Sequence, residues 1–336
     1  MRLPWLLFVF MLTALEMAAD DGAPIFVNIN VSDGLPHNTV QKIFQDSDGF
    51  IWFATKDGLR RHDGRTCLSY RESLSHKSIS NSKIRCVIED GMKRIWAGTD
   101  NGLNMIDPVD GSIESFFSSS EPLLKTDKIN DLYFDGRTGL LWVATDRGIS
   151  IFDVLSFRFV ELESCPAFGS ETNVIYGADD IYIGTSHGLY RCDCHACGPE
   201  SLGGVLDFAV FSILEDSAGN VWFGNDRTGF GKVTADDGVE FLYCGRPQDD
   251  DGSDVYSIIE KDDILWLVTK RNGIFLYDMS SGRSKGGFQP DPGTRTMLTC
   301  GYIDIDGNIW IVLRGGLPLV SLYEPFLQGG HYRRRR

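Results

Sequence analysis

Residues 50–59 read FIWFATKDGL, and the stretch returns at 94–103 as RIWAGTDNGL and at 140–149 as LLWVATDRGI. Its aromatic position recurs further along the chain, with Tyr in the fourth copy and Trp in the others. The seven aromatic anchors are Trp52, Trp96, Trp142, Tyr182, Trp222, Trp266 and Trp310. Successive anchors lie 40 to 46 residues apart. A repeat of this length, built from short apolar segments, is typical of the blades of a β-propeller.

Each copy has the same internal order of segments. An apolar segment such as 40–44 comes first, followed by a turn pair such as Asp48-Gly49, Gly219-Asn220 or Asp306-Gly307. Such pairs suit hairpins because they tolerate positive φ. A glycine then follows the anchor by six or seven residues, at Gly58, Gly102, Gly148, Gly188, Gly229, Gly273 and Gly316. Third and fourth apolar segments complete most copies, so each copy predicts a blade of four antiparallel strands whose Trp and β-branched residues pack between blades.

We therefore predict an all-β fold, a seven-bladed β-propeller of four-stranded antiparallel blades over residues 20–325. The last copy is too short for a fourth strand, whereas residues 25–29 read as a strand that precedes the first copy. We expect this N-terminal strand to pair into the seventh blade and close the ring, which removes an open sheet edge. A linear solenoid is the alternative, and the orphan strand and the lack of a capping helix favour closure.

The two ends of the chain and its net charge indicate where the protein is located and which partners suit it. Residues 1–19 are predicted to be a signal peptide, because Arg2 precedes an apolar run over 3–15 and small residues follow it. We expect a periplasmic protein, with membrane contact only through this segment if it is retained. The formal net charge of −15 makes nucleic acid an unsuitable partner. Residues 326–336 are expected to form a disordered basic tail.

Three cysteines close in sequence leave three interpretations open. Cys192, Cys194 and Cys197 surround a histidine, and such groups can bind zinc when four ligands converge. No second pair is evident in the sequence, so a local disulfide is the better interpretation for an exported chain. Unpaired thiols are the further alternative, and we expect no metal site.

The repeats also predict which loops share one rim. In a propeller, the turns between second and third strands lie beside the linkers between blades, so both sets of side chains surround one mouth. Carboxylates, guanidinium groups and amides there suit the hydroxyls and acidic groups of a glycan. The simpler interpretation is a turn sequence repeated seven times with exposed charge. The predicted rim residues are His37, Asn38, Lys56, Asp57, Asn81, Asp100, Asn101, Asp146, Arg147, His187, Asp226, Arg227, Lys270, Arg271 and Arg314, with Lys128, Asn173, Ser186 and Asp254 beside them.

Residues 33–38, which read DGLPHN, together with Val40 and the stretch 46–59, resemble the two-component regulator propeller repeat. The resemblance implies the periplasmic sensor region of a bacterial hybrid histidine kinase of the Bacteroidetes type. It also implies recognition of an oligosaccharide, with a homodimer or a sensor-kinase partner. We expect no cofactor. Members of that family usually carry a second propeller and kinase modules, which this sequence does not show. We therefore expect a sensor fragment, a truncated product or a stand-alone binding protein that does not itself phosphorylate.

Two other classes of function compete with sensing. The Trp-centred repeat also resembles the metal-dependent streptogramin lyases, whose chemistry needs a histidine and an acid that converge on the channel. His37 and His187 are the rim histidines, and spacing assigns no partner to either. A protein-interaction propeller of the WD type would show Trp-Asp pairs, and the repeats contain none. We therefore predict a non-enzymatic binding module.

Overall fold

The computed structural model describes residues 26–28, 40–63, 66–73, 78–161, 171–177, 180–192, 200–202, 208–243, 254–289, 297–313 and 318–321. These residues form seven four-stranded antiparallel sheets, which confirms the predicted seven-bladed propeller. The described part of the chain contains no helix, and so none that could cross a membrane.

The first strand of the chain, β1 (Phe26–Asn28), belongs to none of the six sheets that follow it in the sequence. In these six sheets the four strands pair in chain order. The first two sheets are β2 (Val40–Gln45), β3 (Ile51–Thr55), β4 (Gly58–His62) and β5 (Cys67–Tyr70), then β6 (Ile84–Glu89), β7 (Ile95–Thr99), β8 (Leu103–Ile106) and β9 (Ile113–Phe116). The third and fourth are β10 (Ile129–Asp135), β11 (Leu140–Thr145), β12 (Gly148–Asp153) and β13 (Arg158–Val160), then β14 (Thr172–Gly177), β15 (Ile181–Thr185), β16 (Gly188–Cys192) and β17 (Glu200–Ser201). The fifth and sixth are β18 (Val210–Glu215), β19 (Val221–Asn225), β20 (Gly229–Val233) and β21 (Val239–Tyr243), then β22 (Val255–Lys261), β23 (Ile264–Thr269), β24 (Ile274–Asp278) and β25 (Arg283–Phe288).

The seventh sheet joins the two ends of the chain. It contains β26 (Leu298–Ile303), β27 (Ile309–Leu313) and β28 (Pro318–Ser321), and β1 pairs antiparallel with β28 as the fourth strand. In this pairing Phe26 lies opposite Ser321 and Asn28 opposite Leu319. The N-terminal strand predicted from the sequence thus supplies the strand that the last repeat lacks.

The aromatic anchors pack each sheet against the next one. The first strands of neighbouring sheets lie side by side, so they are the inner strands of the ring. Trp52 and Trp96 are fully buried, and the Trp96 ring lies 4.9 Å from the ring of Phe152 in the third sheet. An aromatic contact also joins the seventh sheet to the first, where the Trp310 ring lies 5.8 Å from the Phe53 ring of β3. The sheets therefore form a ring without a free end.

A small residue two positions after the anchor lets the next inner strand approach. Gly98 of β7 is an example, since a Cβ there would lie 2.4 Å from Cys86 Sγ and 2.5 Å from Ile129 Cγ2 of the third sheet. Five of the seven copies have Ala or Gly at this position: Ala54, Gly98, Ala144, Gly184 and Gly224. The repeat thus favours close packing of the inner strands through the small residue at this position.

The hairpins that precede the anchors in the first, fifth and seventh sheets turn at the predicted pairs, with positive φ at Gly49, Gly219 and Gly307. In the first sheet Gly49 has positive φ and its N–H donates to the Asp46 carbonyl, while Asp48 keeps negative φ. Asn220 also keeps negative φ, and its amide side chain donates to Asp216 instead. In these three hairpins the aspartate that begins the turn organises it through its carboxylate, and one left-handed residue is then enough. The hairpin of the sixth sheet differs, because Asp262 and Asp263 both have positive φ.

Candidate ligand-binding mouth

The turns between the second and third strands lie against the linkers between sheets, at one end of the ring. The Gly58 N–H donates to the Ser82 carbonyl at 2.7 Å, and the Gly102 N–H donates to the Asp127 carbonyl at 2.6 Å. Each bond joins a turn of one sheet to the linker that leads into the next sheet. We call this end of the ring the mouth.

Five of these turns are held by a threonine and a glycine. The Thr55 hydroxyl donates to the Gly58 carbonyl at 2.7 Å and accepts from the Asp57 N–H at 3.0 Å. Gly58 has a φ of +104°, which disfavours any residue with a Cβ. The same hydroxyl-to-carbonyl bond recurs at Thr99, Thr145, Thr185 and Thr269. The turn backbone is therefore fixed before any ligand arrives.

The first residue of the turn holds the linker in several sheets. Asp146 accepts from the Thr126 hydroxyl, and Asp226 accepts from the Ala209 N–H at 2.9 Å. Lys270 donates to Asp254 at 2.8 Å. These predicted rim residues have a structural role at the mouth.

The second residue of the turn is mostly exposed. Asn101, Arg147, His187, Arg227 and Arg271 are all exposed to solvent. Asp57 differs, because its carboxylate pairs with Arg71. The His187 ring nitrogen Nδ1 is 3.0 Å from the Ser186 hydroxyl. Two predicted linker residues form hydrogen bonds within the protein. The Asn81 side-chain oxygen accepts from the Lys83 N–H at 2.8 Å, and the Asn173 amide donates to the Val210 carbonyl at 3.1 Å.

A ring of bulged residues at the mouth was not predicted as a set. The pairing of every inner strand with its neighbour shifts register just after the first residue, so that the second residue is left out of the ladder. A β-bulge of this kind redirects a side chain away from the sheet. The seven residues, here called the bulge ring, are Gln41, Arg85, Asn130, Asn173, Phe211, Tyr256 and Thr299. The available signal was the residue that follows the first position of each inner strand, which is apolar in six copies and Thr172 in the fourth.

The bulge ring contains one aromatic pair. The Phe211 and Tyr256 rings meet edge to face, with their centroids 4.8 Å apart. The Lys270 ammonium group lies 5.5 Å from the centroid of the Tyr256 ring. Both aromatic side chains are half-buried, so each keeps an accessible part.

A cavity of about 270 Å³ opens between the first and second sheets. Its lining residues are Val40, Gln41, Lys56, Lys83, Ile84, Arg85, Asp100 and Thr299. Three of them belong to the bulge ring, and Lys56 and Asp100 are predicted rim residues. Arg85 Nε donates to Asp100 Oδ1, and Lys83 Nζ lies 3.5 Å from Asp100 Oδ2.

One residue deeper, an ion pair spans the first and third sheets. Lys42 of β2 donates to Asp131 of β10, and Asp131 also accepts from the Ile175 N–H at 3.3 Å. Burial acts to lower the pKa of Lys42, but Asp131 reverses this and raises it overall. Burial raises the pKa of the nearby Cys86 thiol to about 12. The thiol is therefore protonated and unreactive at neutral pH.

Several predicted residues lie outside the described part of the chain. They are His37, Asn38, Arg314, Gly316, Cys194 and Cys197, together with the predicted signal peptide and basic tail. Cys192 is described, and it is buried at the end of β16. The predicted disulfide among these three cysteines stays a prediction. Within the described ranges, no group of three or more His, Cys, Asp or Glu side chains is placed to hold a metal ion.

Comparison by sequence supports the resemblance stated above. Residues 34–57 and 208–227 match the profile of the two-component regulator propeller, at the start of the first copy and in the fifth. This confirms the predicted resemblance at both places. No curated protein matches the chain.

Comparison by structure finds similar propellers in sensor proteins. The extracellular domain of the putative hybrid two-component system BT3049 from B. thetaiotaomicron is 25% identical, with a TM-score of 0.73 over 89% of this chain and 42% of that one. The extracellular domain of the putative one-component system BT4673 from the same organism is 19% identical, with a TM-score of 0.72 over 90% of this chain and 40% of that one. This chain therefore spans about two fifths of these solved domains. A streptogramin B lyase is 16% identical, with a TM-score of 0.67 over 89% of this chain and 97% of that one, and shares the fold.

Proposed function

We propose that this chain is the ligand-sensing propeller of a two-component signalling system, and that it binds an oligosaccharide at the mouth on the periplasmic side. The sequence matches and the sensor domains of similar fold support the signalling role. The ligand class rests on the residues of the mouth.

The observation that carries the ligand class is the Phe211 and Tyr256 pair within an otherwise mostly polar bulge ring. A sugar ring has an apolar face of C–H groups and a rim of hydroxyls. Aromatic rings contact the first, while amide, hydroxyl and charged side chains such as Gln41 and Thr299 bond the second. A concave site with a few convergent polar groups is the usual form of a small-ligand site.

The fixed backbone of the mouth also suits binding. The threonine-glycine bonds and the carboxylate-to-linker bonds hold the turns in one geometry without a ligand. A preorganised site loses less conformational entropy on binding. The exposed second residues of the turns, such as Arg147 and Arg227, remain available for contact.

We propose a binding role without catalysis. An enzyme of the lyase type would need a histidine and an acid that converge on the channel. His187 contacts Ser186 and is exposed to solvent on its turn. The described residues of the mouth form hydrogen bonds, ion pairs and ring contacts.

Thermal melting of the chain with a panel of oligosaccharides tests the proposal. A ligand that binds the folded state at a hundredfold excess over its dissociation constant stabilises it by about 2.7 kcal/mol, so a selective rise in Tm is expected. Tyr256→Ala should abolish the rise. Tyr243→Ala, at an exposed tyrosine of the outer strand β21, is the matched control and should keep it. A Tm that no oligosaccharide raises, or metal-dependent turnover of a substrate, would contradict the proposal.

A further inference from the structure

The cavity between the first and second sheets concentrates positive charge. Lys56, Lys83 and Arg85 line it together with one carboxylate, that of Asp100. Their net charge is +2, whereas the whole chain carries −15. Cations gathered in a concave site of an acidic protein create a local potential that attracts anions.

Asp100 does not neutralise this group. Its two oxygens contact different cations, Oδ1 the Arg85 guanidinium and Oδ2 the Lys83 ammonium group. Burial alone would raise the pKa of Asp100, but the hydrogen bond and charge of Arg85, with Lys83, lower it overall. The carboxylate is therefore ionised at neutral pH and holds both cations at the cavity wall, where a further anion can still meet them.

Lys56 adds a cation that has no ion-pair partner among the described residues. It is exposed and it lines the cavity. Lys270 is the corresponding turn residue of the sixth sheet, but it forms an ion pair with Asp254. A lysine left unpaired at the entrance to a cavity is placed to meet a ligand rather than to hold a linker.

Neutral groups complete the lining. Gln41 and Thr299 of the bulge ring bring an amide and a hydroxyl to the same cavity. An amide and a hydroxyl both donate and accept, so they suit the hydroxyls that surround an acidic group on a sugar. The volume of about 270 Å³ is that of a subsite for part of a ligand rather than for a whole oligosaccharide.

We propose that this cavity is an anion subsite, which selects oligosaccharides that carry a carboxylate or a sulfate group. Lys56, Lys83 and Arg85 bind the anionic group, and the Phe211 and Tyr256 pair, on the inner strands of the fifth and sixth sheets, contacts another sugar ring of the same oligosaccharide. The inference rests on the proposed function, because it names the class of oligosaccharide that the mouth takes.

Calorimetric titration of the full chain with four galactose-based probes of equal length tests the inference. The probes are a neutral galactan oligosaccharide, an oligogalacturonate, a sulfated galactan oligosaccharide and the desulfated form of the last. We expect at least one acidic probe to bind at least about tenfold more tightly than the neutral one, with an affinity that falls as salt is added. Preference for oligogalacturonate identifies a carboxylate as the bound group, and preference for the sulfated probe over its desulfated form identifies a sulfate.

A charge-reversal pair separates the cavity from general electrostatics. In Lys56→Glu/Lys83→Glu the binding of the acidic probe should weaken by at least about tenfold, because two attractive contacts become repulsive. The variant should still fold, since both lysines are exposed at the surface. Arg283→Glu/Lys285→Glu makes the same change of charge on the exposed outer strand β25 and should bind as the unaltered chain does.

The outcomes distinguish this inference from the proposed function. If a neutral probe binds as tightly as the acidic probes and the two double variants behave alike, the anion subsite is wrong while oligosaccharide binding stands. If only the acidic probes bind but Lys56→Glu/Lys83→Glu loses no more affinity than the control, the charge lies elsewhere and the assignment of this cavity is wrong. If no oligosaccharide of the wider panel binds, the proposed function falls and the subsite falls with it.

Discussion

At the scale of single residues, one aspartate carboxylate organises the hairpin before the anchor in four of the seven sheets. The Asp90 side chain is buried and accepts from the N–H groups of Met92 and Arg94, from Arg94 Nε and from the Trp96 indole at 2.8 Å. The same indole bond recurs at Asp46, Asp216 and Asp304, always six residues before the anchor. In the third sheet Gly136 takes that place, and the buried Trp142 Nε1 has no hydrogen-bond partner among the described residues. A buried donor without an acceptor destabilises the folded state.

This difference predicts unequal effects of the same substitution. Trp96→Phe removes a bond to a buried carboxylate, whereas Trp142→Phe removes an N–H that bonds nothing in the described structure. Both changes replace an indole by the smaller phenyl ring, so the loss of packing contacts is similar. We expect Trp96→Phe to lower the free energy of unfolding by about 1–3 kcal/mol more than Trp142→Phe. Urea unfolding at neutral pH measures both values, and equal losses would show that the indole bond contributes nothing.

Protonation of Asp216 should make the contribution of the hairpin before Trp222 to stability depend on pH. Burial alone would raise the pKa of Asp216, but hydrogen bonds from the Trp222 indole and from Asn220 lower it below its ordinary value of 3.8. The stability that this carboxylate contributes is therefore present above about pH 4 and is lost as the pH falls through the lowered pKa. The loss in Asp216→Asn should be largest near pH 7 and should shrink below about pH 4. Denaturant unfolding of both proteins between pH 3 and 7 tests this, and a loss that does not change with pH would contradict it.

At the scale of the element, the turn at the mouth depends on a close approach that only glycine allows. A Cβ on Gly58 would lie 2.5 Å from the Tyr70 carbonyl oxygen, a backbone atom that cannot easily move. Gly49 provides the control, because its φ of +90° imposes similar strain and nothing lies within 4 Å of a Cβ there. Gly58→Ala should therefore lower the free energy of unfolding by at least about 1 kcal/mol more than Gly49→Ala. Urea unfolding of the two variants compares them directly, and equal losses would mean that the turn can shift without penalty.

What the sequence predicts well is what local spacing encodes. The anchor, the glycine that follows it and the order of strands all repeat along the chain, so they are visible as a pattern. The bulge ring is harder to see, because a bulge is a matter of register between two strands and its residues differ from copy to copy. Phe211 and Tyr256 lie 45 positions apart and meet only because neighbouring inner strands lie side by side. Likewise, the aspartates of the turns read as exposed charges until the linkers that they hold are placed against them.

At the scale of the whole molecule, seven apolar clusters hold the ring, and each joins two adjacent sheets. The cluster that combines Ile43 and Phe53 with Trp310 and Val312 closes it. Every sheet is thereby packed on both faces, and no sheet needs a polar cap. The closing sheet is also the one whose strands come from both ends of the sequence, so the closure of the ring depends on a contact between residues almost 300 positions apart.

We predict that the pairing of β1 with β28 stabilises the whole ring. A chain that begins at residue 29 lacks β1 and leaves β28 with an unpaired edge, whereas a chain that begins at residue 21 keeps β1 and serves as the control. An open strand edge both loses its hydrogen bonds and offers them to another molecule. We expect the shorter chain to unfold at lower urea concentration and to associate as its concentration rises, while the control does neither. Urea unfolding and size-exclusion chromatography over a range of concentrations measure the two effects. Equal stability and equal elution of both chains would mean that the side-by-side packing of the sheets closes the ring without help from the N-terminal strand.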